Sequence, residues 1–261
     1  MAIYAWADLH GRMDIFERGL SRIGPKDKVY FLGDAADRGP DGWEIMKRIL
    51  EDKRFTYIKG NHEDLMLKVL GNWKGPSDAF HYSSDVDLWY WNGGESTHQA
   101  FLDDHTICAE QKRDYLDQLK DLPFCAIYQN AKDQIVILSH SGYDDIDNGD
   151  EEKFIWDRNH LAFYDTWDGN DNEVIVHGHT PIELMIKDQQ ENAWYMTEKH
   201  MREGVLGDHF EEPQPWDGKS AYWYGKNHKV NIDTGAVWNN RSVLLNLDTW
   251  EEIHIFIPMV G

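Results

Sequence analysis

Asp8 and His10, Asp34, Asp37 and Arg38, Asn61 and His62, His140 and His179 are the residues of this 261-residue chain whose types and spacing point to chemistry. Carboxylates, imidazoles and a carboxamide bind divalent cations and exchange protons, and arginine is a fork of donors suited to phosphate. Asp8 and His10 stand two apart, so in an extended segment both side chains point the same way. A mixed imidazole and carboxylate set suits Mn, Fe or Zn better than an all-oxygen calcium site. Asp8, His10, Asp34, Asn61, His140 and His179 are too many ligands for one catalytic ion with an open position. They fit two ions about 3.5–4 Å apart that share one carboxylate.

Strands that end where these residues stand would gather them. Residues 29–32 are apolar and β-prone, and Gly33-Asp34-Ala-Ala-Asp37-Arg38-Gly39 follows at once. That is a buried strand opening into a polar loop bracketed by glycines. Residues 2–7 and 54–59 end in the same way, in Asp8-Leu-His10-Gly11 and Gly60-Asn61-His62-Glu63. Ligands collect at the carboxyl ends of strands in α/β folds.

Between the strands, Phe16, Leu20 and Ile23 recur at helical spacing and stop at Gly24-Pro25. A second helix starts near Pro40 with Trp43, Met46 and Leu50 on one face, and a third near 62 with Leu65, Met66, Val69 and Leu70 inward. This βαβαβ order favours a parallel sheet. Strands are expected again at 124–129, 134–139 (ending in Ser139-His140-Ser141-Gly142) and 173–177 (ending in His177-Gly178-His179-Thr180-Pro181). Antiparallel strands at 229–235, 242–247 and 253–257 close the chain. Two stretches interrupt the alternation. Residues 71–122 read as partly helical, with Tyr115, Leu116 and Leu119 toward a core and 89–97 as a surface loop over the rim, either packing or a lip for substrate. Residues 186–226 show no clear period.

Composition narrows the function classes. A formal net charge of −21 argues against nucleic-acid and anionic-membrane partners, which need basic patches. No apolar run is long enough to span a bilayer, and the chain opens directly on a strand-like segment, so a cytoplasmic location is the expectation. Cys108 and Cys125 form no CxxC pair, and a thiol-phosphatase motif at Cys108 would need arginine at 114, where Asp114 stands. The acidic run 144–152 fails the calcium-loop pattern because Gly149 occupies a ligand position, so it reads as a solvated loop.

Asp-x-His-Gly, Gly-Asp-x-x-Asp-Arg-Gly, Gly-Asn-His-Glu, a strand-end His and Gly-His-Thr-Pro in this order resemble the calcineurin-like metallophosphoesterases. Asp37-Arg38-Gly39 and Gly178-His179-Thr180-Pro181 resemble the phosphoprotein phosphatase branch, in particular its bacterial and phage serine/threonine phosphatases. The resemblance implies an α/β fold, a β-sandwich of mixed sheets flanked by helices, with 1–261 as one domain carrying insertions at about 71–122 and 186–226. It assigns Asp8 and His10 to a first metal, Asp34 to both, and Asn61, His140 and His179 to the second. Manganese is the leading candidate, with Fe, Zn, Ni and Co as others. A hydroxide between the metals would attack phosphorus, Arg38 and Arg158 would hold the phosphoryl oxygens, and His62, oriented by Asp37, would protonate the leaving group. The implied substrate is a phosphoprotein (phosphoserine, phosphothreonine, phosphotyrosine) or, alternatively, a dinucleoside polyphosphate such as diadenosine tetraphosphate. Where many superfamily members read Gly-His-x-His, this chain has Pro181, which leaves the first metal one protein ligand fewer. His177 is the alternative ligand, although the family pattern sets it behind the ligands.

Overall fold

Alternation along β1 (Ile3–Trp6) decides the layering. Tyr4 and Trp6 point into one buried cluster with Phe16, Phe31, Trp43, Met46 and Leu65, while Ile3 and Ala5 point into another with Val136, Leu138, Val174 and Val176. A strand with two apolar faces needs cover on both, here helices on one side and a second sheet on the other. This computed structural model describes residues 1–76, 83–143, 150–158, 170–187 and 215–258.

The first sheet has the order β10-β9-β1-β2-β3, with β2 at Lys28–Phe31, β3 at Phe55–Tyr57, β9 at Arg241–Asn246 and β10 at Glu252–Phe256. β1, β2 and β3 run parallel, as the βαβαβ pattern requires, and β9 and β10 add antiparallel partners. The second sheet has the order β4-β5-β6-β8-β7, with β4 at Cys125–Gln129, β5 at Ile135–Ser139, β6 at Glu173–His177, β7 at Tyr222–Tyr224 and β8 at Lys229–Asn231. The two sheets of mixed strands, flanked by helices, are the architecture expected from the motifs.

Helices α1 (Met13–Leu20), α2 (Gly42–Glu51) and α3 (Asn61–Leu70) cover the outer face of the first sheet. Trp6 stacks on Phe16 with centroids 5.6 Å apart, and the approach is so close that a Cβ on Gly19 would lie 2.3 Å from the Trp6 ring. Burial of an aromatic side chain of this size contributes about 1.5–3 kcal/mol. Gly19→Ala would force the helix off the sheet.

Three expectations need correction. Residues 89–97 are not a surface loop: they run from the end of α4 (Ser84–Trp91) through a tight turn into α5 (Glu95–Asp103), and Trp89 is fully buried. The packing reading of this stretch is the right one for Trp89. The segment 186–226 contains a strand, β7. The closing strands are not all antiparallel, because β8 runs parallel to β6. Helix α6 (Ala109–Lys120) turns Leu116 and Leu119 inward as expected, with Tyr115 partly buried beside them. The acidic run 144–152 and the unperiodic segment 186–226 lie partly outside the described residues. Both cysteines are free, and among the described residues no helix is long and apolar enough to cross a membrane.

Candidate metal centre

Every parallel strand ends on one rim, and the backbone bends sharply there. Asp8, His10, Asp34, Asp37, Arg38 and His179 all have positive φ, between 46° and 70°. Non-glycine residues adopt that region at a cost of roughly 1–3 kcal/mol each, and such strain gathers at functional sites. The loops after β2 and β3 approach so closely that a Cβ on Gly33 would lie 2.5 Å from the Gly60 Cα, which admits only glycine.

Asp34 is the centre of the arrangement. Its Oδ2 lies 3.7 Å from His10 Nε2 and 3.8 Å from His62 Nε2, and its Oδ1 lies 3.4 Å from His140 Nε2. Two groups of buried side chains with the donor types to hold an ion, His10-Asp34-His62 and Asp34-His140-His179, each gather within 4.8 Å and share this carboxylate, and Asp8 falls in neither. Asn61 Oδ1 joins the second set at 2.9 Å from both His140 Nε2 and His179 Nδ1, which are 3.2 Å apart. Asp8 is fully buried beside them, its carboxylate accepting from the His179 backbone N–H at 3.1 Å.

This donor set fits cations. His10 and His140 each donate Nδ1–H to a backbone carbonyl, of Ala36 at 3.0 Å and Leu32 at 2.6 Å. That fixes the tautomer in which Nε2 turns a lone pair inward, the usual support of a metal-binding histidine. Around the second set, the acceptor oxygens Asp34 Oδ1 and Asn61 Oδ1 converge with His140 Nε2 and His179 Nδ1. So many buried lone pairs call for positive charge. Burial, with the Arg38 and His62 charges, holds the His10 imidazole well below its usual range. Burial, with His140 and Arg158, does the same for His179, so both stay neutral as ligation requires. Burial alone would raise Asp34, but His140 and His62 outweigh it and keep the carboxyl well below the usual range. Asp8 goes the other way: burial, then Asp233 and Asp34, push it well up.

The residues with other expected roles come to the same rim. His62 Nδ1 donates to Asp37 Oδ2 at 2.7 Å, and Trp89 Nε1 donates to the same oxygen at 2.9 Å. His62 Nε2 therefore faces the centre. Arg38 is half-buried, its Nη1 2.6 Å from His10 Nε2 and its Nη2 3.2 Å from His62 Nε2, with its guanidinium 4.9 Å from the Trp238 ring centroid. Arg158 is exposed but reaches inward, Nε donating to His179 Nε2 at 3.0 Å. It follows α7 (Glu151–Trp156), whose buried Phe154 and Ile155 pack the helix against the His140 loop, and the Phe154 carbonyl accepts from Ser141 N–H at 3.0 Å. His177 is turned away: Nε2 pairs with Tyr224 Oη at 2.7 Å and Nδ1 with the Gly178 carbonyl at 3.0 Å. It is not part of either ligand set.

Three supporting residues were not singled out from the sequence. Glu63 is fully buried and accepts from Asp34 N–H at 2.9 Å, Ala35 N–H at 3.0 Å, Gly60 N–H at 3.0 Å and Tyr57 O–H at 2.9 Å. It stood in view within Gly-Asn-His-Glu. Trp89 carried no local signal, whereas Asp233 follows the run 229–232 as the other strand-end residues follow theirs.

A family model described as calcineurin-like phosphoesterase matches residues 1–223. The chain belongs to this family. Its members are metal-dependent phosphoester hydrolases, and the ligand groups around Asp34 are this chain's candidates for divalent ions. Over 145 residues it is 31% identical to serine/threonine-protein phosphatase 2 of Escherichia coli (strain K12), a match covering 54% of this chain and 58% of that protein. Over 81 residues it is 35% identical to the symmetrical bis(5'-nucleosyl)-tetraphosphatase of Acidovorax sp. (strain JS42), covering 30% of this chain and 29% of the relative. Both matches span less than two thirds of the relative. The crystal structure of a metallophosphoesterase from Sphaerobacter thermophilus shares the fold, with a TM-score of 0.52 and 17% identity over 99% of this chain and 89% of that one.

Proposed function

We propose that the chain is a phosphomonoesterase that removes phosphate from phosphoserine and phosphothreonine in proteins, with phosphotyrosine as a further substrate. Two divalent ions, manganese foremost, would be held by Asp8, His10, Asp34, Asn61, His140 and His179. The observation that carries this reading is the division of Asp34, one carboxylate oxygen toward His10 and His62 and the other toward His140, with an arginine beside each set. Divalent ions in such a site polarise phosphoryl oxygens and make water nucleophilic near neutral pH.

The chain's own residues do the rest. Asp37 and Trp89 fix the His62 ring, so a proton on Nε2 can pass to a leaving alkoxide. Arg38 offers two parallel donors to a phosphoryl group, and the Trp238 ring beneath it restricts the guanidinium. His10 Nε2, which would hold an ion, meets Arg38 Nη1 at 2.6 Å, so with His10 as a ligand the Arg38 donors would be free for the anion. Arg158 supplies the second clamp from the His179 side.

Hydrolysis of a dinucleoside tetraphosphate is the second reading, favoured by the curated relatives that carry that name. Turnover by metal-stripped, manganese-reloaded protein on phosphoserine and phosphothreonine peptides, run beside diadenosine tetraphosphate, decides between them. A kcat/KM at least ten-fold higher on the peptides is expected. The reverse order overturns the first reading in favour of the second.

A further inference from the structure

We propose that Asp233 is a further carboxylate of the metal centre, serving the ion on the Asp8 side directly or through one water; this rests on the two-ion reading above. The fold brings Asp233 to the rim by the same device as the expected ligands. β8 runs parallel beside β6 with His177 opposite Asn231, so both strands end at the same level. Asp8 stands two residues past the end of β1, His179 two past β6, and Asp233 two past β8.

The residue is held firmly there. Its backbone carbonyl accepts from Ile182 N–H at 2.9 Å and its N–H donates to Asn231 Oδ1 at 2.8 Å, while Asn231 Nδ2 donates to the Thr180 carbonyl at 2.7 Å. The His179 loop and the Asp233 loop are thus one unit. Of the two carboxylate oxygens, Oδ1 accepts from Gly235 N–H at 2.9 Å. Oδ2 has no hydrogen-bond partner among the described residues, although Asp233 is only 2% exposed.

A buried carboxylate oxygen without a donor is costly unless positive charge stands beside it or a proton neutralises it. Asp233 is the strongest charge acting on Asp8, also buried, and Arg38 is the strongest acting on Asp233. Burial pushes the Asp233 carboxyl up to about 6, with the Gly235 N–H and Arg38 opposing. A buried carboxylate oxygen left without a donor, on a loop that ends level with the His179 loop, is a place where a cation would bind. The chemistry also has room for it: Pro181 follows the His179 motif where a further imidazole could have ligated, so the first ion draws on Asp8, His10 and Asp34.

Asp233→Asn separates this role from loop building, because an amide oxygen still accepts from Gly235 N–H while the charge is lost. Metal-stripped wild type and Asp233→Asn are titrated with Mn²⁺ by calorimetry at fixed pH, with bound metal counted after dialysis and thermal unfolding of the stripped proteins as the folding control. Two ions are expected for the wild type. In the variant one ion should bind about ten- to a hundred-fold more weakly, the loss typical of a group supporting a metal site, with unfolding of the stripped protein unchanged. Both ions bound with wild-type affinity by Asp233→Asn overturns the proposal. Fewer than two ions on the wild type instead overturns the two-ion reading on which it rests. If Asp233→Asn does not fold, Asp233→Glu keeps the charge and shifts it by one methylene: a changed affinity for one ion supports the assignment, and two unchanged affinities refute it.

Discussion

Glu63 gathers Asp34, Ala35, Gly60 and Tyr57 onto one buried carboxylate, so the loops after β2 and β3 are braced from beneath. The loops after β5 and β6 are held differently. His140 is fixed through its ring to the Leu32 carbonyl, and the His179 backbone N–H is fixed to Asp8, both in the first sheet. The contrast shows a division of labour: the first sheet builds a self-supporting half of the rim, and the second sheet docks single residues against it. Damage to the first should therefore spread, and damage to the second should stay local.

The largest effect is expected at Glu63. Glu63→Gln turns an acceptor into a donor that faces buried N–H groups, and the loss should reach about 3 kcal/mol or more. Urea unfolding of the metal-stripped protein, with metal content measured in parallel, checks this; normal stability with full metal binding would break the comparison.

Next is His62→Asn, which should keep metal while kcat falls by about 10²–10⁴-fold. An aryl phosphate, whose leaving group barely needs a proton, should suffer less than an alkyl phosphate. Equal losses on both count against proton donation.

Arg158→Lys should act more locally, lowering kcat/KM by about ten-fold, or about 1.4 kcal/mol of transition-state binding, with metal content unchanged. Arg38→Lys should cost more, since Arg38 is half-buried and stacked on Trp238. Equal effects of the two would erase the distinction between the halves of the rim.

The smallest effect lies away from the rim. Burial would raise the Asp104 carboxyl, but hydrogen bonds from Lys47 at 2.6 Å, Thr106 and Trp43 at 2.9 Å outweigh it and hold it below the usual range. A carboxyl depressed in the folded state adds stability above its unfolded pKa of about 4, lost as pH falls through the folded value. Asp104→Asn should therefore cost about 1–2 kcal/mol at pH 7, and the gap to wild type should close below about pH 4. A gap independent of pH would refute the ionic origin.

Most of the residues that meet at the rim were legible because the signal is local. An apolar β-prone run followed by a carboxylate, carboxamide or imidazole with a glycine close by names its own strand end, as at Asp8, Asp34, Asn61, His140 and His179. The strand spans at β5 and β6 followed from the same runs. What the sequence could not decide is which strands become neighbours and which atoms meet. Gly93 and Gly94 made residues 89–97 look like an open loop, whereas Trp89 is buried because Asp37, distant in the chain, accepts its N–H. β7 is three residues long, too short for a period to show. The parallel pairing of β8 with β6 depends on a crossover through a long intervening stretch, and that pairing alone brings Asp233 to the metal centre. Periodicity reports the face a residue turns to its neighbours in sequence. Pairing, orphaned oxygens and shared charge arise only when segments far apart in the chain are packed together.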